Sequence, residues 1–196
     1  MFRKLFNLIF GTSYDGVVDL TPEEDIKPFK PQSVTKPYKI SKVGIDLIKK
    51  WEKLELEAYQ DTGGVWTIGY GTIAGVKKGM VISEAQADKL LYDYVAKQTE
   101  SLNKILAKVK LVSQEQFDVI SSFVYNIGTT QFSASSMLKQ LEVGDWAKAA
   151  NQLVRRDSKG IYHGWIYDNG KKIEGLINRR KAEKELFLRG SVISGH

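Results

Sequence analysis

The stretch WEKLELEAYQDTGGVWTIGYGT, residues 51–72, divides the chain into two kinds of sequence pattern. Just before it, residues 41–51 have the apolar spacing of a helix face that begins at an N-cap serine. The apolar positions of that face are Val43, Leu47, Ile48 and Trp51. Residues 58–82 instead hold six of the 17 glycines among β-branched and aromatic residues, a composition typical of short strands and tight turns. We therefore expect a helix that leads directly into a small β-rich segment.

From residue 83 onward the sequence again predicts helices. Capping boxes, in which a serine is followed three residues later by a glutamine, begin two of them at Ser83 and Ser113. The second is expected to end at Gly128, since glycine adopts the left-handed conformation that terminates many helices. Further helices are expected over residues 135–144, from Asp145, and over residues 174–189 after a polar loop. The predicted fold class is α+β and mostly helical, with one small β insertion near the start.

The prolines indicate the domain organisation, because all four lie between residues 22 and 37. Proline fixes φ and donates no backbone hydrogen bond, so residues 12–40 are expected to form an extended, semi-rigid arm. We expect the folded domain to span residues 41–190 and a short tail to follow at residues 191–196.

Residues 1–11, MFRKLFNLIFG, form a separate pattern. Apolar residues at i, i+3, i+4 and i+7 beside Arg3 and Lys4 predict a short basic amphipathic helix at a membrane surface. The alternative is a terminal helix that docks on the protein itself or on a partner. The segment is far shorter than the roughly 20 residues that span a bilayer. It also makes a poor secretory signal, because no small-residue cleavage site follows it.

The composition excludes several kinds of chemistry. The 196 residues contain no Cys, which removes disulfides, thiolate metal sites and cysteine nucleophiles. His163 and His196 are the two histidines, too few for a His-based metal site. The net charge of +6 favours an anionic partner, such as nucleic acid, a membrane or an acidic cell-surface polymer. Nucleic acid is the weakest alternative, because the sequence has no recognition helix, base-stacking motif or clustered basic run.

The candidate catalytic residues lie within residues 51–72. Glu52 is at the C-terminal end of an apolar helix, where desolvation and the negative end of the helix dipole both favour a protonated carboxyl group. A carboxyl that keeps its proton can act as a general acid. Asp61 and Thr67 follow in a turn and a strand that can fold back toward Glu52. Two carboxylates across a cleft are the equipment of glycoside hydrolysis.

The residues alone leave alternatives open. A Glu at a helix end and an Asp before a Gly are commonly a solvated residue and a turn residue. Glu55 and Glu57 lie close enough in sequence to compete with Glu52 for the acid's role. A hydroxyl is a poor proton acceptor, so we expect Thr67 to orient water rather than to act as a base.

The spacing Glu52-x8-Asp61-x5-Thr67 resembles the catalytic signature of phage-type lysozymes, glycoside hydrolase family 24. Two later blocks resemble the C-terminal lobe of lambdoid phage endolysins, namely FVYNIGTTQFSASSMLKQLEVGDWAKAANQLVR and GLINRRKAEKELFLRG. Together the three blocks cover about residues 41–190. The resemblance implies a lysozyme-like fold, in which a helical C-terminal lobe and a small N-terminal lobe with a β-hairpin enclose the active-site cleft.

The resemblance also implies the activity. It implies a monomeric N-acetylmuramidase that needs no metal or organic cofactor and that cuts the β-1,4 bond between N-acetylmuramic acid and N-acetylglucosamine in peptidoglycan, with lysis of the host as the result. Glu52 would be the general acid, Asp61 would stabilise the oxocarbenium charge and direct the water, and Thr67 would position that water. Inversion at the anomeric carbon would follow.

Four further positions match the family. Tyr125 and Asn126 match residues that line the saccharide cleft in relatives, while core packing for Tyr125 and a helix-end role for Asn126 are the alternatives. Arg179 and Arg180 match a pair that we interpret as structural, through buried ion pairing with a carboxylate. Two positions depart from the family, since Lys53 and Thr72 stand where relatives commonly have Gly and His.

Two other functions are weighed against the muramidase. A lytic transglycosylase uses one Glu alone, and Asp61 and Thr67 argue against it because no water attacks in that reaction. A non-catalytic wall-binding module of a virion or injection device is the other alternative. For localisation, we expect synthesis in the host cytoplasm and action on the cell wall after the membrane is permeabilised. A holin-type pore, residues 1–11 and transport as virion cargo are the possible routes.

Overall fold

The computed structural model describes residues 36–61, 63–111 and 113–190, which contain seven helices and six short strands. The helices are α1 (Lys42–Trp51), α2 (Glu84–Ile105), α3 (Gln114–Ile127), α4 (Thr129–Ser133), α5 (Ser136–Glu142), α6 (Trp146–Leu153) and α7 (Glu174–Arg189). The strands are β1 (Glu55–Gln60), β2 (Trp66–Gly69), β3 (Val154–Arg156), β4 (Tyr162–Gly164), β5 (Tyr167–Asp168) and β6 (Lys171–Lys172). The predicted α+β, mostly helical fold class is confirmed.

Hydrogen bonds at the helix ends confirm the predicted boundaries. The side chain of Ser41 accepts from the backbone N–H of Gly44 at 3.4 Å and caps α1. At the start of α2, the N–H of Gln86 donates to Ser83 Oγ at 3.2 Å, and the N–H of Ser83 donates to Gln86 Oε1 at 2.7 Å. The third helix ends at Gly128, whose φ of 88° only glycine adopts readily. Local sequence therefore decides where these helices begin and end.

Helix α3 is the centre of the structure. It is buried from Glu115 to Asn126 and packs against α1, α2, α4 and α7. Its apolar side chains join the main hydrophobic core, which includes Phe117, Ile120, Phe123, Val124, Phe132 and Phe187. Because α1 and α7 both pack on α3, their positions relative to each other are fixed by a buried helix.

The first β-hairpin lies where the sequence predicts a β-rich segment. Strands β1 and β2 pair antiparallel, with Tyr59 opposite Thr67 and Gln60 opposite Trp66. The hairpin begins at Glu55, a few residues before the glycine-rich composition starts. It therefore follows directly after α1 and turns back toward the end of that helix.

The prediction of a polar loop before the last helix was wrong in part. Two additional hairpins lie there, β3 paired with β4 and β5 paired with β6. The turn of the second has φ values of 48° at Asn169 and 75° at Gly170, which is the pattern of a type I′ turn. Strands of two or three residues are too short to show an alternating apolar pattern, so composition alone indicated a loop.

Among the described residues, Tyr38 is already buried, although it lies upstream of the boundary expected at Ser41. Tyr38 is 2% exposed, and its hydroxyl donates to Val109 O at 3.0 Å and accepts from the N–H of Leu111 at 3.1 Å. Residues 1–11, the rest of the expected arm to residue 35 and the tail at 191–196 lie outside the described residues. In the part of the chain that is described, no helix is both long and apolar enough to cross a bilayer.

Candidate active site

Glu52 is the residue at which α1 ends. Its backbone N–H still donates to Ile48 O at 2.9 Å, but its own backbone is extended, with φ −100° and ψ 120°. Its side chain is 19% exposed, and its Oε1 accepts from Arg179 Nη1 at 2.8 Å. The end of the helix therefore presents a carboxylate that is mostly buried yet reachable from solvent.

Arg179 connects Glu52 to the core. It lies on α7 with its side chain 3% exposed, and it donates from Nε to Glu183 Oε1 at 3.0 Å and from Nη2 to Ser122 O at 3.1 Å. Burial acts to lower the pKa of Arg179, but the carboxylates of Glu52 and Glu183 outweigh that effect and raise the pKa. Arg179 is thus a permanent cation that ties the end of α1 to α3 and α7.

The buried ion pairing expected for the two arginines is confirmed. Arg180 also pairs with Glu183, a side chain with no exposed surface, so Glu183 bridges both guanidinium groups. The contact between Arg179 and Glu52 was not predicted, because 127 residues separate them in the sequence. No periodicity or spacing rule reports a contact over that distance.

A glycine turn lies beside the other oxygen of Glu52. Gly71 has a φ of 91°, and a Cβ built on it would be 4.0 Å from Glu52 Oε2. Oε1 is held by Arg179, so the two oxygens of this carboxylate have different surroundings.

Asp61 begins the turn between β1 and β2. Its Oδ1 accepts from the backbone N–H of Gly63 at 2.7 Å and from that of Val65 at 2.9 Å, and Gly64 adopts a φ of 76° within the same turn. An aspartate whose side chain bonds its own turn in this way has a fixed orientation. Asp61 therefore both stabilises the turn and supplies the candidate carboxylate.

Thr67 and Tyr59 face each other across the hairpin. Thr67 is 4% exposed, and its hydroxyl donates to Val65 O at 3.1 Å. Burial raises the pKa of Tyr59, and the carboxylates of Glu55, Glu52 and Asp61 raise it further, whereas the interaction with the Thr67 hydroxyl acts to lower it. Glu52, Asp61 and Thr67 therefore all interact with this one tyrosine, which the sequence did not single out.

Comparison with known proteins identifies the family. The phage lysozyme family matches residues 49–183 of the chain. The endolysin of Acyrthosiphon pisum secondary endosymbiont phage 1 is 42% identical over 150 residues, which are 76% of this chain and 97% of that protein. The chain belongs to the phage lysozyme family. This confirms the resemblance found in the sequence, and it makes the protein a glycoside hydrolase of the lysozyme type.

Two further comparisons show how much of each protein matches this phage lysozyme and which fold it shares. The endolysin of Bacillus phage B103 is 40% identical over 154 residues, 77% of this chain, but the match spans 54% of that longer protein. Among solved structures, the muramidase domain of SpmX from Asticaccaulis excentricus has a TM-score of 0.63 and 33% identity over 76% of this chain and 97% of that one. The lysozyme-like fold expected from the sequence is therefore confirmed.

Tyr125 and Asn126 of this phage lysozyme are both buried, at 2% and 6% exposure. The Tyr125 hydroxyl donates to Tyr70 O, and its ring packs edge-on against Tyr94 at 5.2 Å. The side-chain oxygen of Asn126 accepts from Arg180. These contacts favour the structural alternative for both residues, because little of either surface is left for a saccharide.

Glu55 and Glu57, the two alternative candidates for the general acid, have surroundings that differ from those of Glu52. Glu55 forms an ion pair with Lys53, and Glu57 is exposed on β1. Neither has the buried cation that holds Glu52. Among residues 36–61, 63–111 and 113–190, no three His, Asp or Glu side chains are grouped so that they could hold a metal ion.

Proposed function

We propose that this phage lysozyme hydrolyses the β-1,4 bond between N-acetylmuramic acid and N-acetylglucosamine, with Glu52 as its general acid. The observation that carries the proposal is the 2.8 Å contact from Arg179 to Glu52, which holds a mostly buried carboxyl group at the end of α1 beside the hairpin that carries Asp61 and Thr67. The substrate class is peptidoglycan, as the endolysin relatives indicate.

The contacts of Glu52 indicate which oxygen delivers the proton. A guanidinium group has only donors, so Oε1 must accept from Arg179 through a lone pair. When the Glu52 carboxyl group carries a proton, that proton is therefore on Oε2, the oxygen beside Gly71. In the reaction this proton passes to the glycosidic oxygen as its bond to the anomeric carbon breaks.

Asp61 and Thr67 act on the other side of the reaction. The Asp61 carboxylate stabilises the positive charge that develops on the sugar ring, and Oδ1 is already held by two backbone N–H groups. Thr67 positions the water that adds to the anomeric carbon. A hydrolytic product has a free reducing end, and inversion at the anomeric carbon is expected.

Product analysis tests this proposal against the two other functions. Purified peptidoglycan is digested with the wild-type protein and the soluble products are identified by mass spectrometry. Reducing muropeptides support hydrolysis, and anhydro sugars would indicate a lytic transglycosylase. Binding to peptidoglycan without cleavage would indicate a wall-binding module and would overturn the proposal.

The N-terminal residues supply a second proposal, about how the enzyme reaches the wall. The basic amphipathic pattern of residues 1–11 favours contact with a membrane surface, and the proline-rich residues that follow act as a spacer. The enzyme then acts as a monomer on the cell wall once the membrane is permeabilised, with no nucleic-acid partner. A truncation of residues 1–35, which keeps the buried Tyr38, tests the membrane contact. Equal binding of both proteins to anionic liposomes would refute it.

A further inference from the structure

We propose that Arg156 and Lys181, two exposed cations that both contact the ring of Tyr162, bind the phosphodiester groups of an acidic wall polymer of the poly(glycerol phosphate) type. The assignment rests on the proposed function, because it takes the cell wall as the target of the enzyme. It involves none of the residues assigned to the reaction.

The β3–β4 hairpin and α7 bring the two cations to the same aromatic ring. Arg156 on β3 is directly opposite Tyr162 on β4, so their side chains share one face of the hairpin. Because the guanidinium carbon of Arg156 lies 5.5 Å and Lys181 Nζ lies 4.4 Å from the centre of this ring, the two cations are at most about 10 Å apart. One phosphate group, or two neighbouring ones along a chain, can bridge such a separation.

The guanidinium group of Arg156 is held in one orientation. Its Nε donates to Gly160 O at 2.9 Å, in the turn between the two strands. Gly160 has a φ of 79°, and a Cβ built on it would be 3.1 Å from Nη2, so glycine lets this turn approach the guanidinium group closely. No described residue accepts from Nη1 or Nη2. Their N–H groups are therefore available to a ligand.

The positive charge of this surface is not neutralised by the described carboxylates. Residues 154–172 contain five Lys or Arg and two Asp. Neither these five cations nor Lys181 forms an ion pair with any described residue. Asp157, the acidic residue of the hairpin, instead accepts from two backbone N–H groups of its own turn and lies 2.8 Å from His163 Nε2. An uncompensated positive surface attracts anions.

The pKa of Tyr162 is shifted by the same positive charge. The interaction with Lys181 lowers this pKa most, and the charge of Arg156 lowers it further. Desolvation and the carboxylate of Glu174 act in the opposite direction but do not outweigh the two cations. The surroundings of this ring are therefore electropositive although Glu174 lies nearby.

The groups on this surface match a phosphodiester chain. Guanidinium and ammonium groups only donate, and the charged oxygens of a phosphodiester only accept, so their contacts are charge-assisted. Four other exposed cations lie in the same segment, so successive anions along a polymer can each meet a cation. These four are Arg155, Lys159, Lys171 and Lys172. Nucleic acid carries the same phosphodiesters but is not part of the wall, where the proposed function places the enzyme.

Binding of the full chain to soluble poly(glycerol phosphate), measured by isothermal titration calorimetry, tests the proposal. The test variant is Arg156→Gln combined with Lys181→Gln. The matched control is Lys77→Gln combined with Lys78→Gln, which removes the same charge from exposed lysines between β2 and α2. We expect the test variant to raise Kd about tenfold or more and the control to raise it less than about twofold.

Several outcomes would overturn the proposal. Equal losses of affinity in the test variant and the control would show that net charge alone attracts the polymer. Poly(glutamate) that binds as tightly as poly(glycerol phosphate) would indicate a carboxylate site instead. Tighter binding to single-stranded DNA, or to phosphatidylglycerol vesicles, at equal phosphate concentration would indicate a different partner. Urea unfolding of each variant confirms that the affinities belong to folded protein.

Cleavage rates separate this proposal from the proposed function. Hydrofluoric acid removes phosphodiester-linked polymers from walls that carry poly(glycerol phosphate) and leaves the peptidoglycan. We expect the variant with Arg156→Gln and Lys181→Gln to cleave treated walls at the wild-type rate, and to cleave a low concentration of untreated walls several-fold more slowly. Slower cleavage of both would place the two cations in the reaction itself and overturn the inference. No cleavage by the wild type, with polymer binding as expected, would overturn the proposed function alone.

Discussion

The Glu52 carboxyl group derives its position from a buried cation. Arg179 bonds Glu52, Glu183 and Ser122 at once, and its side chain is 3% exposed. Glu183 has no exposed surface, so its charge is compensated by Arg179 and Arg180, and Ser122 Oγ also donates to it at 2.9 Å. Removing one partner of a buried ion pair leaves the other charged and desolvated, which costs more than the pair itself contributes.

The substitution Arg179→Met is therefore expected to lower the free energy of unfolding by about 3–5 kcal/mol. Urea unfolding followed by circular dichroism measures the change. Arg189→Met is the matched control, because Arg189 and its partner Glu185 are 63% and 65% exposed and such surface pairs contribute little. Equal stability of Arg179→Met and the wild type would contradict the assigned role of the cation.

The buried carboxyl group of Asp118 predicts how the stability of the protein depends on pH. It accepts from the N–H of Ser41 at 2.9 Å, and burial raises its pKa above the ordinary value of 3.8, although the hydrogen bonds from Ser41 and Gln114 oppose that shift. A raised pKa means that the folded protein binds the proton more tightly than the unfolded chain. The stability from this group is therefore full below about pH 3.8 and is lost as pH rises through the raised pKa.

In Asp118→Asn this titration is absent. The free energy of unfolding of the wild type minus that of the variant is expected to fall as pH rises from about 3.5 to 7. Urea unfolding of both proteins at several pH values measures the difference. A difference that grows with pH would show that the native state favours the ionised form and would contradict the prediction.

Among the secondary-structure elements, helix ends that are marked by capping residues could be predicted from the sequence, whereas the short strands could not. A helix cap depends on residues within four positions of each other, so it can be predicted from local sequence. This holds for the caps at Ser41, Ser83 and Ser113 and for the termination at Gly128. The hairpins β3–β4 and β5–β6 were missed, although Asn169-Gly170 is a known turn signal. On α1 the apolar face was predicted to include Val43, which is 56% exposed, because Gly44 packs against α3 in its place.

The capping box of α2 predicts the effect of Ser83 on stability. Ser83→Ala removes the acceptor for the Gln86 N–H and is expected to lower the free energy of unfolding by about 1 kcal/mol. Ser101→Ala is the control, because Ser101 is exposed within the same helix and alanine is a better helix former. Thermal unfolding compares the two variants, and a loss of stability in Ser101→Ala as large as that in Ser83→Ala would contradict the prediction.

At the scale of the whole molecule, the fold joins residues far apart in sequence. Tyr38 bonds to Val109 and Leu111 more than 70 residues away, so the last part of the proline-rich region contributes to the core. The candidate acid and its partners on the hairpin could be predicted from a signature of 16 residues, Glu52 to Thr67. The contact of Arg179 with Glu52 and the pairing of Tyr59 with Thr67 could not, because the first is long-range and the second depends on strand register.

Two truncations test where the folded structure begins. Removal of residues 1–35 is expected to leave the unfolding midpoint unchanged. Removal of residues 1–40, which also deletes Tyr38 from the core, is expected to lower stability by about 3–5 kcal/mol, as the loss of a buried aromatic side chain does. Urea unfolding compares both with the full chain, and equal stability of the two truncations would place the boundary at Ser41 instead.

The rate at which Glu52→Gln releases reducing ends from purified peptidoglycan tests whether Glu52 is the general acid. The control is Glu57→Gln, at an exposed carboxylate on the neighbouring strand. The amide keeps the shape of the side chain but cannot donate an acidic proton, so we predict a loss of about 10²-fold or more in Glu52→Gln and a wild-type rate in Glu57→Gln. A wild-type rate in a folded Glu52→Gln protein would show that Glu52 is not the general acid.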